Sequence, residues 1–93
     1  LIDQDAAVAA VADEIAQATG ARALAFVADV TDELAVPRVA SQIVGNIDCP
    51  HHVVYSVGAG SGKYGFPFWN LAVEDWPGTI DVNLLGAVRT AQR

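Results

Sequence analysis

Ala23-Leu24-Ala25-Phe26-Val27-Ala28-Asp29-Val30-Thr31 is the stretch whose reading decides the fold. Its first six residues form a short, almost unbroken apolar run, which suits a strand covered on both faces, as in a parallel sheet. The run stops at Asp29, and Thr31 is placed to cap a following helix. Upstream, the segment from Asp5 to Thr19 sets Val8, Val11, Ala12 and Ile15 at helical spacing, with Gly20 where such a helix would end.

Downstream, Leu34, Val39, Ile43 and Val44 are expected on the inner face of a second helix. Pro37 interrupts that reading, because a mid-helix proline removes a hydrogen bond and clashes with the preceding turn. Either the helix is kinked or it starts near Pro37, and the preference of proline for a first turn favours the start. His52-Val53-Val54-Tyr55-Ser56-Val57 reads as a second buried strand, closed by Gly58-Ala59-Gly60. A loop rich in glycine and aromatics covers residues 61–70. The last helix is expected from about Val73 to the chain end. Glu74 and Asp75 lie in its first turn, and Ile80, Leu84 and Val88 on one face. Helix, strand, helix, strand, helix is the α/β alternation of a parallel, doubly wound sheet.

Composition narrows the function classes. Ninety-three residues suffice for one small domain, and 53% apolar with 17% charged residues describes a globular chain. A formal net charge of -6 repels nucleic-acid phosphates and anionic lipid alike. Arg22, Arg38, Lys63, Arg89 and Arg93 are scattered and make no patch. Neither nucleic acid nor membrane is therefore expected as a partner. Cys49 is the only cysteine, which excludes an internal disulfide and fits a reducing compartment. No apolar run approaches the roughly 20 residues of a membrane helix, and Asp3 and Asp5 replace the basic start of a signal peptide. A cytoplasmic location is the expectation. His51 and His52 point opposite ways on an extended chain and lack a suitably spaced third ligand, so no metal site is expected. Leu1 in place of methionine, and an end at Arg93 inside an apparent helix, read as an internal segment: one truncated domain over residues 1–93.

Ligands of open α/β sheets bind at the carboxyl ends of strands. Here those ends carry Asp3, then Asp29 with Val30, then Ser56-Val57-Gly58-Ala59-Gly60. An acid closing the second strand of a dinucleotide fold can bond both ribose hydroxyls of NAD, and it repels the extra phosphate of NADP. Asp29 can accept a hydrogen bond from an adenine amino group while Val30 packs on the ring. Gly58 lets the backbone approach a ribose with no Cβ in the way. Taken singly, each acid is equally a solvated strand-end residue.

Three motifs in order carry a resemblance. Ala28-Asp29-Val30-Thr31-Asp32 resembles the Asp-Val element of the short-chain dehydrogenase/reductase family. Val53-Val54-Tyr55-Ser56-Val57-Gly58 is similar to the strand ending in that family's Asn-Asn-Ala-Gly. Asp75-Trp76 followed by Asp81-Val82-Asn83-Leu84-Leu85-Gly86 resembles its helix with the Val-Asn-x-x-Gly signature. The resemblance implies a partial Rossmann-like sheet, without its first strand and its C-terminal half. It implies that Asp3 selects NAD over NADP, that Asp29 and Val30 hold adenine, and that Gly58 lies along the cofactor. Asn83 would be the catalytic-site asparagine, whose main-chain carbonyl holds a water in a proton relay to a lysine. Asp81 and Asn83 are poor helix formers, so a distorted turn there costs little.

Two departures stand out. Tyr55-Ser56-Val57-Gly58 keeps only the glycine of Asn-Asn-Ala-Gly, and a buried Tyr55 hydroxyl would need a partner. The chain also contains neither Gly-x-x-x-Gly-x-Gly nor Tyr-x-x-x-Lys, so by itself it is expected to be inactive. The whole protein is then expected to be an NAD-dependent oxidoreductase of an alcohol or ketone, as a homodimer or homotetramer. The alternative is a non-catalytic nucleotide-binding or structural relative. The aromatics Phe66, Phe68, Trp69 and Trp76 are expected to anchor their loop against the parent core more than to line a substrate.

Overall fold

The structure, a computed structural model, describes residues 1–63, 65 and 67–92. Its sheet consists of β1 (Ile2–Asp3) and β2 (Phe26–Val27), which pair in parallel with Ile2 opposite Phe26 and Asp3 opposite Val27. Two further bonds extend the ladder, from Phe26 N–H to Leu1 O and from Ala28 N–H to Asp3 O, each 2.9 Å. Parallel strands need a crossover, and α1 (Val8–Thr19) supplies it with Val8 and Ala12 buried. It ends as expected at Gly20, which adopts φ 71° and donates its N–H to Ala16 O at 2.9 Å. That left-handed conformation suits a residue without Cβ.

Helix α2 (Ala35–Asn46) begins two residues before Pro37. The missing N–H therefore falls among first-turn donors that have no intrahelical acceptor, and the proline begins the helix as expected. Thr31 is not its cap. The Thr31 hydroxyl turns back to Asp29, and the Asp32 carboxylate takes the Leu34 N–H at 2.8 Å instead. Leu34 consequently precedes the helix and is 78% exposed, contrary to the inner-face expectation, as is half-exposed Val44. The buried face is Ala35 and Val39. These join Ala28 in a small core against which Phe26 and Ile43 pack.

The expected strand at residues 52–57 is corrected. This segment joins no ladder, and Val54 is 87% exposed where a buried strand was expected. An apolar run becomes a strand only when a neighbour takes its backbone N–H and C=O groups. No described segment lies alongside to do so.

The last helix is present, but in four pieces. A 3₁₀ turn (Val73–Asp75) leads into α3 (Trp76–Ile80), a π-helical segment (Asp81–Leu85) and α4 (Gly86–Ala91). Asp75 accepts the Ala72 N–H at 2.8 Å and the Lys63 ammonium at 2.6 Å. The Lys63 hydrogen bond, then the Ala72 bond, hold its carboxyl below the usual aspartate range. Phe68 meets Trp76 edge-on at 5.9 Å, while Trp69 is 80% exposed. Phe66 lies outside the described residues. No described helix is long and apolar enough to cross a membrane.

Val8, Ala12, Ala28, Ala35 and Val39 are the buried apolar residues among those described. Side chains this small and few offset little of the chain entropy that folding removes. The 93-residue polypeptide alone should therefore melt broadly in differential scanning calorimetry, and one sharp endotherm would contradict that.

Candidate functional site

The carboxyl ends of β1 and β2 open on one groove of about 620 Å³, whose other wall is the irregular segment 52–59. Asp3, Asp29, Val30 and Gly58 all line it. The groove thus gathers residues spread over more than half the chain.

Asp3 is exposed at the end of β1, with Oδ1 accepting the Asp5 N–H at 2.9 Å. Asp29 stands one residue beyond buried Ala28 and forms a tight turn with Thr31. The Thr31 N–H reaches Asp29 Oδ1 at 2.8 Å and the Thr31 hydroxyl reaches the same oxygen at 2.7 Å. These donors, the backbone one first, hold the Asp29 carboxyl below its ordinary value, so it is anionic at neutral pH. Both bonds use Oδ1, and no described group donates to Oδ2.

Asn83 sits within the π-helical segment, and both ends of its amide are hydrogen-bonded. Nδ2 donates to Ala59 O at 2.6 Å and to Thr79 O at 2.7 Å, while Oδ1 accepts the Ala59 N–H at 3.2 Å. The paired bonds to both backbone groups of Ala59 fix the amide's orientation. They clamp the turn after Gly58 to the helix. A Cβ on Gly58 would lie 3.1 Å from Asn83 Oδ1, so a side chain there would press on the clamp.

Sequence and geometry now point to the same place. Residues 1–93 match the family model described as enoyl-(acyl carrier protein) reductase. This chain belongs to the short-chain dehydrogenase/reductase family. No curated protein matches the sequence. Among solved structures it is similar to 2-keto-3-deoxy-D-gluconate dehydrogenase from Streptococcus agalactiae, at TM-score 0.72 and 19% identity. That similarity covers 98% of this chain and 33% of the dehydrogenase, so the chain spans about a third of its length. It carries the fold, an α/β arrangement around parallel strands.

Within this family member, two residues matter that sequence reasoning did not single out for the site. Tyr55, noted only as a departure, donates its half-buried hydroxyl to Val82 O at 2.6 Å. The partner that a buried tyrosine hydroxyl needs is thus a carbonyl of the π-helical segment. Arg89, expected to be one scattered base among five, instead pairs with Asp81 at 2.8 Å and donates to Val30 O at 3.2 Å. No local pattern could reveal either contact, since they join residues 27 and 59 positions apart.

Gly86 is where these contacts converge. An added Cβ would fall 2.5 Å from the Tyr55 hydroxyl and 2.9 Å from Val30 Cγ2. Gly86→Ala in the whole protein is therefore expected to cost about 1–3 kcal/mol by overpacking, read from the urea midpoint. A cost near zero would mean that the junction opens freely.

Burial pushes the Tyr55 phenol above its ordinary value, with the Arg89 charge opposing. A raised folded value favours the protonated donor. Its contribution is full below the ordinary tyrosine pKa and is lost as pH rises through the raised one. Tyr55→Phe should lower stability by about 1 kcal/mol at neutral pH. The difference from wild type should shrink in strongly alkaline urea titrations, and a constant difference would sink the assignment.

Proposed function

We propose that the whole protein is an NAD-dependent oxidoreductase that transfers hydride between the nicotinamide and an alcohol or ketone carbon. The observation that carries this reading is the single groove lined by Asp3, Asp29, Val30 and Gly58, with Asn83 clamped beside it. Family membership supports the oxidoreductase class. On this reading residues 1–93 are part of a larger doubly wound nucleotide-binding domain.

The residues fit a dinucleotide. Asp3 is exposed, carries the charge that pairs with ribose hydroxyls, and would repel a ribose phosphate. Asp29 keeps Oδ2 for an adenine amino group, while Val30 offers an apolar face. Gly58 lines the groove, and without a Cβ it would let the backbone approach a ribose. When bound, the nicotinamide supplies the hydride. The chain's own residues bind and orient, and Asn83 holds the distorted helix whose main-chain carbonyl supports the water relay of the family. The tyrosine and lysine of that relay belong to the rest of the protein.

We favour the catalytic reading over a non-catalytic nucleotide-binding or structural relative. That alternative rests on Tyr55-Ser56-Val57-Gly58, yet Tyr55 supplies a hydrogen bond to the very segment that holds Asn83. A homodimer or homotetramer is the assembly we propose for the whole protein. The setting we propose is cytoplasmic.

Cofactor titrations test the reading. The purified whole protein should bind NADH at least about tenfold more tightly than NADPH, and Asp3→Ala should erase most of that preference. Equal affinities in the wild type would overturn the role given to Asp3, and failure to bind either would overturn the reading.

A further inference from the structure

We propose that Arg89 is a positioning residue that holds the Asp29–Val30 turn in register with the Asn83 helix, and so tunes cofactor affinity from outside the groove. The proposal rests on the NAD reading above. Its basis is a two-armed contact. One terminal nitrogen of Arg89 pairs with Asp81 Oδ1 at 2.8 Å, and the other donates to Val30 O at 3.2 Å. Arg89 and Asp81 are both partly buried, so water screens the pair less than it would a surface pair.

The pair's spacing gives it meaning. Asp81 and Arg89 are eight residues apart, about 12 Å along a straight α-helix and twice the usual spacing of helical partners. Here they meet across the π-helical segment Asp81–Leu85, the segment that contains Asn83. The contact therefore depends on the helix distortion, and the second arm passes that geometry to Val30. Steric contact reinforces the link, because Gly86 lets the helix approach Val30 with no Cβ between them. Tyr55 closes the third side, with its hydroxyl on Val82 O.

Arginine suits this task and lysine does not. A planar guanidinium sends two nitrogens to two acceptors in fixed directions, whereas an ammonium is a point charge on a flexible stem. Arg89 lies outside the residues lining the groove, so its effect on the cofactor travels through the Val30 backbone.

The test uses the whole protein, with NADH and ADP-ribose as probes. Arg89→Gln should weaken both by about tenfold, raising the KM for NAD while kcat changes little. Without cofactor, the Thr31 amide, held by Asp29, should exchange faster with solvent. Arg89→Lys should recover only part of the loss. Asp81→Asn, which keeps Arg89 but removes its ionic partner, should shift affinity in the same direction and serves if Arg89→Gln does not fold. Wild-type affinity in soluble Arg89→Gln or Asp81→Asn would overturn the proposal, as would equal losses in kcat and thermal stability with KM unchanged. Failure of the wild-type protein itself to bind NADH would instead overturn the NAD reading, and this proposal with it.

Discussion

A helix that opens by one residue re-pairs its carbonyls five residues on, and in this chain side chains bind the carbonyls around that opening. The π-helical segment Asp81–Leu85 interrupts what is otherwise one helix from Trp76 to Ala91. Thr79 O accepts from the Asn83 amide and Val82 O from the Tyr55 hydroxyl. Each of these hydrogen bonds helps to hold the distorted turn in place. The rest of the Asn83 amide then holds Ala59, which places the turn after Gly58.

From that constraint the geometry spreads to the strand ends. Gly86 permits the helix to lie against Val30, and Arg89 ties the Val30 carbonyl to Asp81. Asp29, one residue earlier, is preorganised by Thr31 and remains charged. A ligand entering the groove would meet a turn and a helix already fixed to each other. Preorganisation of this kind reduces what binding must spend on ordering.

The surroundings are much less complete than the site. Val53 and Val54 are extended without a ladder, and large apolar side chains on every helix stay exposed. A two-stranded sheet of two-residue strands cannot cover them. The local polar contacts around Asn83 bind directly, whereas apolar faces need a layer on the other side. The polar contacts around Asn83 thus close within the chain, while its apolar faces stay open.

The sequence by itself determined the elements whose signals are local. The helical spacing before Gly20, the placing of Pro37 in a first turn and the weak helix formers around Asn83 all act within a few residues. Asp3 and the Asp29–Val30 pair at the ends of β1 and β2 were legible for the same reason, whereas Gly58 follows no strand. Thr31 as a cap was misread, because its hydroxyl donates back to Asp29 while the Leu34 N–H goes to Asp32. The strand at residues 52–57 was misread because pairing is a property of two segments, and an apolar run records only one. Tyr55 on Val82, Arg89 on Asp81 and Val30, and the closeness of Gly86 were decided by tertiary structure alone. Hydrogen bonds and steric contacts between residues far apart in the chain leave no periodicity, since they depend on where whole elements lie in space.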